Sequence, residues 1–229
     1  MNEILWIVML IANFAAILVV YRLFGTVGLF VWMPIATITA NIQVLKTIEI
    51  FGLTATLGNI VYASSFLVTD IFSELHDKQK ARLAVLSGFV AIIAVTGLTN
   101  LALVFEPAES DFVQESLEVV FGFLPRVAGA SVAAYLVSQF HDVWAYALLR
   151  RLIPSRRFLW IRNNLSTMVS QLIDSVVFTA LAFWGVFELS VFLEILLTTY
   201  VLKFVVAAAD TPFLYLARRW KELEKVPVG

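Results

Sequence analysis

Residues 124–151 read LPRVAGASVAAYLVSQFHDVWAYALLRR, and this stretch decides the fold. It is mostly apolar and long enough to cross a bilayer, which takes roughly 20 residues. Yet it carries Arg126 near one end, Ser131, Ser138 and Gln139 along its length, and His141-Asp142 beyond them. Ser131, Tyr135, Ser138 and Asp142 recur at steps of four, three and four, so they share one helical face. Lipid cannot solvate that face, which must therefore turn toward a cavity or toward other helices.

The rest of the chain supports a membrane reading. Of its 229 residues, 61% are hydrophobic and 14% charged, with mean hydropathy +0.90. Soluble domains sit nearer 45–50% apolar and about 25% charged. The length suits a single bundle over 1–229, without a second soluble domain. The absence of cysteine excludes disulfides, thiol chemistry and cysteine metal sites. The opening MNEILWIVMLIANFAAILVVYRLFG lacks a basic n-region, and its apolar run is too long for a cleavable signal.

Hydropathy divides the chain into seven spans at about 4–23, 27–46, 53–75, 82–105, 119–149, 163–187 and 190–217. The expected fold is all-α, a polytopic helical bundle. Lys and Arg collect after spans one, three, five and seven; the intervening loops are acidic, with Lys46 the sole exception. The positive-inside rule then puts the N-terminus outside and the C-terminus in the cytoplasm. Residues 155–162, SRRFLWIR, read as a cytoplasmic loop at the headgroup level, with gating of a cavity as the alternative.

Ionisable groups inside spans cost roughly 2.5–3.5 kcal/mol each at the bilayer centre, so those retained need a reason. Span three holds Asn59, Tyr62, Phe66, Asp70 and Glu74, the last two near the expected cytoplasmic end. Span six holds Gln171 and Asp174; span seven holds Lys203 and Asp210, two turns apart and readable as a structural ion pair. Asp174 lies near the middle of its span with no basic residue nearby in sequence, which makes it the leading functional candidate. On that reading Asp174→Asn removes a membrane charge and leaves the melting temperature unchanged. Many of the Ser and Thr groups are satisfied by their own helix backbone. His76 and His141 show no spaced metal motif, and no phosphate loop or nucleophile elbow is present, so enzyme readings fail. No repeated filter or symmetric charged ring suggests a channel. A small-molecule carrier with a site between spans three, five, six and seven remains.

Two segments carry a family resemblance. ANIQVLKTIEIFGLTATLGNIVYASSFLVTDIFSELHDKQKAR places Ala40-Asn41 before a loop and then a span ending TDIxSE. PRVAGASVAAYLVSQFHDVWAYALLRR and IRNNLSTMVSQLIDSVVFTALAFWG follow, the latter with Ser170, Gln171, Asp174 and Ser175 in an S-Q-x-x-D-S rhythm. Together they resemble the vitamin uptake transporter family, whose best-known members import queuosine precursors. The resemblance covers about 27–217, and residues 1–26 read as an extra span on a six-helix core. Leu75-His76-Asp77 departs from the Tyr-Gly that commonly follows the Ser-Glu motif.

The resemblance implies transport of a 7-deazaguanine: 7-cyano-7-deazaguanine, 7-aminomethyl-7-deazaguanine or queuine. It also implies similarity to the substrate-binding subunits of energy-coupling-factor importers. Such a subunit, dependent on partner proteins, is the alternative to a solitary carrier. For the ligand, helical faces nominate Asp174 first and Asp142 second as the carboxylate, with Gln171, Gln139 and Asn59 as amides. Arg126 is the expected cationic donor, and Tyr62, Phe66 and Tyr135 are stacking platforms. Asp70, Glu74, Lys203 and Asp210 are candidates for proton coupling or gating. No metal, cofactor or nucleic acid is expected. Membrane lipid is a partner, and a homodimer is left open. Small-residue pairs Ala12/Ala16 and Ala36/Ala40 suit either docking or internal packing, and packing is preferred.

Overall fold

The first helix shows why length alone miscounts this chain. In the computed structural model, α1 runs Asn2–Gln43, 42 residues. At 1.5 Å per residue it would be about 63 Å long, twice the roughly 30 Å of hydrocarbon in a bilayer. Gly25 breaks it with φ 59° and ψ −138°. The halves fold back: Asn2 donates to the Glu49 carbonyl at 3.0 Å, and Met9 packs on the cluster containing Ala36 and Ala40. The structure describes residues 1–152 and 159–227, apart from the side chains of 142, 143, 146, 147, 150, 152 and 159–167. Of the segment 155–162, residues 155–158 and the side chains of 159–162 therefore lie outside the described residues, as does the side chain of Asp142; the backbone of 159–162 opens a helix and not a loop.

Gly25 sits where only glycine is comfortable. A Cβ there would also lie 2.5 Å from the Pro227 carbonyl oxygen, in the C-terminal tail. Gly25→Ala should cost on the order of 1–3 kcal/mol, the range for a residue forced into a glycine-only conformation. Thermal unfolding of the purified protein reads this, and an unchanged melting temperature would refute it.

After α1 the chain departs from the all-α expectation. Residues Thr47–Ile50 (β1) and Leu53–Thr56 (β2) pair antiparallel, with Ile50 opposite Leu53. Phe51 and Gly52 both have positive φ, 52° and 77°, as a two-residue hairpin turn requires. What reads as the start of span three is thus a strand, whose apolar residues belong to a hairpin and not to a helix. Its backbone is satisfied from α8: the Thr54 N–H donates to Glu194 at 2.9 Å, and Thr198 Oγ1 donates to the Thr54 carbonyl at 3.0 Å.

The remaining helices are α2 Gly58–Ser64, α3 Phe66–Leu75, α4 Lys78–Ala102, α5 Gln114–Phe121, α6 Leu124–Leu152, α7 Leu159–Phe183 and α8 Leu189–Glu222. Asp77 caps α4 by accepting from the Gln79 N–H at 2.8 Å, so that helix begins four residues before the expected 82. Among the described residues, four helical stretches are long and apolar enough to cross a membrane: α1, α4, the α5–α6 stretch Gln114–His141, and α8. The described apolar part of α7, Met168–Phe183, is shorter.

One apolar core joins both halves of α1 to α3 and α8 through Phe14, Ile17, Tyr21, Leu29, Leu67, Phe72 and Val206. Tyr21 meets His76 at 2.9 Å, so the residue that departs from the family pattern ties α1 to the end of α3. Burial, followed by the nearby charges of Lys221 and Lys80, pushes the His76 pKa down to about 4. Ala36 and Ala40 are buried, which makes that stripe internal packing.

Candidate functional site

The packing of α1–α4 and α6–α8 leaves a cavity of about 480 Å³ with both apolar and polar side chains on its walls. Its walls follow from helical period. From α3, Phe66 and Asp70 face inward, with Tyr62 of α2 above them; from α6, Ser131, Tyr135, Ser138 and Gln139 do so. Of the face read from the spacing in α6, Ser131, Tyr135 and Ser138 are turned to the cavity, and the side chain of Asp142 is outside the described residues. From α7 come Gln171 and Asp174, and from α8 Lys203 and Asp210. A narrower recess of about 30 Å³ continues past the same Asp174 and Lys203 toward Gly58, Asn59 and Thr199. It has room for water but not for a ring.

At the junction of the two spaces, the Lys203 ammonium forms an ion pair with the Asp174 carboxylate. The two side chains are only 4% and 7% exposed. Lys203 also donates to Ser175 Oγ at 3.2 Å and lies 5.4 Å from the centre of the Tyr62 ring, a cation–π contact. Ser138 Oγ donates to the other Asp174 oxygen at 3.4 Å. Around the pair, Asn59 donates to Thr199 Oγ1 at 2.9 Å and Ser131 donates to Asn41 Oδ1 at 2.7 Å. Gln171 Oε1 is buried and accepts no hydrogen bond from any described residue. A buried acceptor of this kind is costly unless something else supplies the donor.

Several sequence expectations are relocated. Lys203 pairs with Asp174 on α7 and not with Asp210, because two turns along one helix separate the latter two by about 10.5 Å of rise. Arg126 is not a cavity residue. Its guanidinium donates to the carbonyls of Leu181 at 2.8 Å and Trp184 at 2.6 Å, closing the end of α7. The last carbonyls of a helix have no intrahelical donor, and a cation there satisfies them. Glu74 lies outside the cavity, in a wider vestibule of about 920 Å³ with Arg218, Lys221 and Glu222; Asp70 lines both spaces. Asn59, Tyr62, Phe66, Tyr135, Gln139, Gln171 and Asp174 are brought together as wall residues.

The sequence reading missed the contribution of the second half of α1. Thr37 and Asn41 line the cavity, and the available signal was the intramembrane asparagine of the Ala40-Asn41 pair. It also counted Arg82 among the loop charges, whereas Arg82 reaches the cavity wall without an ion pair to a described residue.

Apolar helices of membrane-crossing length around a charge-paired internal chamber fit a multi-pass membrane protein with a site between its helices. The chain belongs to the family described as "Putative vitamin uptake transporter", whose profile matches residues 56–217. It is 47% identical over 218 residues to a "Probable queuosine precursor transporter" of Bacillus subtilis (strain 168), covering 95% of each chain. It is also 26% identical over 172 residues to the "Queuosine precursor transporter" of Escherichia coli (strain K12), covering 74% of this chain and 75% of that one. A "Probable queuosine precursor transporter" of Haemophilus influenzae is 29% identical over 156 residues, covering 68% and 63%. No solved structure matches the chain. The family and these relatives are transporters, not enzymes.

Proposed function

We propose that this chain carries a queuosine precursor, a 7-deazaguanine, across the cell membrane through the cavity at Asp174 and Lys203. The observation that carries the reading is the pairing of a carboxylate with an ammonium on the wall of an otherwise mixed polar and aromatic chamber. A guanine-like edge presents an N1–H and an amine beside a carbonyl. Asp174 accepts from the two donors while Lys203 donates to the carbonyl, so the ligand edge exchanges with the internal pair at little electrostatic cost. Gln171 supplies its free acceptor, with Gln139 and Asn59 as further amides. Tyr62, Phe66 and Tyr135 offer ring faces to the flat base. A volume near 480 Å³ falls within the roughly 300–1,000 Å³ of small-molecule sites.

In this reading the halves of α1 cross separately, α2 and α3 form one crossing, and the chain spans the membrane seven times. The core at 27–217 resembles the energy-coupling-factor subunits, with 1–26 added to it. The alternating loop charges support an outside N-terminus and a cytoplasmic C-terminus. A reporter fused after Lys225 should then be active only in the cytoplasm, and a cysteine at Ser110 should react with an impermeant reagent from outside. Labelling of that cysteine only from inside would invert the topology.

The transport reading is tested by radiolabelled precursor uptake in a precursor-auxotrophic host lacking its own carrier. Accumulation dependent on this chain is expected, and none with any deazaguanine would overturn it. Uptake by the purified chain alone in liposomes would reject dependence on partner subunits.

A further inference from the structure

Asp210 is an anomaly that the Asp174–Lys203 pair does not explain. It is 4% exposed, lines the cavity, and has neither a hydrogen bond nor an ion pair with any described residue. Asp70, on α3, lines the same cavity, and α3 packs directly against α8, which carries Asp210. The cavity's other charges are the paired Asp174 and Lys203, and Arg82 of α4, which lies beyond 4.0 Å of either carboxylate. Glu74 faces the outer vestibule and adds negative charge on that side. Asp70 and Asp210 thus bring to the chamber two carboxylates without an ion-pair partner among the described residues.

Resting on the transport reading above, we propose that Asp210 and Asp70 form an ammonium subsite, which selects a deazaguanine bearing a protonated amine over one bearing a neutral nitrile. Lys203 and Asp210 are seven residues apart on α8, so they share a face and stand about 10.5 Å apart along the axis. That spacing suits a bicyclic base whose lactam edge lies at Asp174 and Lys203 and whose 7-substituent points to Asp210. An aminomethyl or secondary ammonium there donates charge-assisted hydrogen bonds to carboxylates that otherwise lack donors. A nitrile offers only a lone pair to the same two anions, and both sides are then left without a partner.

The test is competition for labelled 7-aminomethyl-7-deazaguanine binding to the purified full chain. The unlabelled aminomethyl compound should displace the label at a concentration at least tenfold lower than 7-cyano-7-deazaguanine. Asp210→Asn should bring that ratio to within about threefold, with the nitrile then followed by its own label. This variant strips no cation of its partner, since Asp210 has no ion pair among the described residues; Asp70→Asn gives a second measurement should it fold poorly. Equal competition by the two compounds in the parent protein overturns the subsite while leaving the transport reading intact, as does an undiminished preference in both folded variants. Failure to bind either compound overturns the subsite, and failure to bind queuine as well overturns the transport reading with it.

Discussion

Asp174→Asn should destabilise the protein by about 3–5 kcal/mol, the cost of stripping one partner from a buried ion pair. The reason lies in what it leaves behind. Lys203 is 4% exposed, and its remaining contacts are Ser175 Oγ and the face of Tyr62, neither of which carries a full negative charge. An ammonium so placed must lose its proton or draw water into the bundle. In detergent this should appear as a fall in melting temperature on the order of 10 °C, since about 1 kcal/mol moves a chain of this size by roughly 2–4 °C. The prediction reverses the one drawn from sequence, where Asp174 looked like a lone charge whose removal relieves the membrane. A melting temperature within a degree or two of the parent would show that Asp174 does not hold Lys203 in solution.

That reversal marks the boundary of what the sequence discloses. Hydropathy and helical period are local, so the apolar helices, the wet face Ser131–Tyr135–Ser138 and the intramembrane charge of Asp174 could all be read from single segments. Pairing between segments is not local. Asp174 and Lys203 are 29 residues apart on different helices, and nothing in either helix names the other. The visible pair was Lys203 with Asp210, on one face of one helix, which chain geometry keeps apart. The partners of Arg126 are hidden from the sequence for the same reason, because its carbonyl acceptors lie 55 and 58 residues away. The hairpin at 47–56 escaped because each strand has only four residues and its turn is Phe-Gly, not the usual Asn-Gly. The Gly25 break was legible as a short polar interruption after Arg22, because a chain that must reverse outside the apolar layer marks the place with polar and glycine residues.

The pair can be separated from its structural duty by removing both charges together. Asp174→Asn combined with Lys203→Met leaves no ion at the position of the pair, and replacing such a pair with uncharged residues of similar volume is often neutral or stabilising by about 1–4 kcal/mol. The double variant should therefore melt near the parent, and well above Asp174→Asn alone. Uptake should not recover. The ligand's lactam edge would lose a carboxylate acceptor and an ammonium donor, each hydrogen bond to a charged group contributing about 1.5–3 kcal/mol. Two such losses amount to at least about 3 kcal/mol, more than a hundredfold in affinity at about 1.4 kcal/mol per tenfold. Stability thus recovers from the single to the double variant while transport does not, which a purely structural pair cannot produce. A well-folded double variant that accumulates precursor at the parental rate would make Asp174 and Lys203 a packing device and place the recognition of the base elsewhere in the cavity.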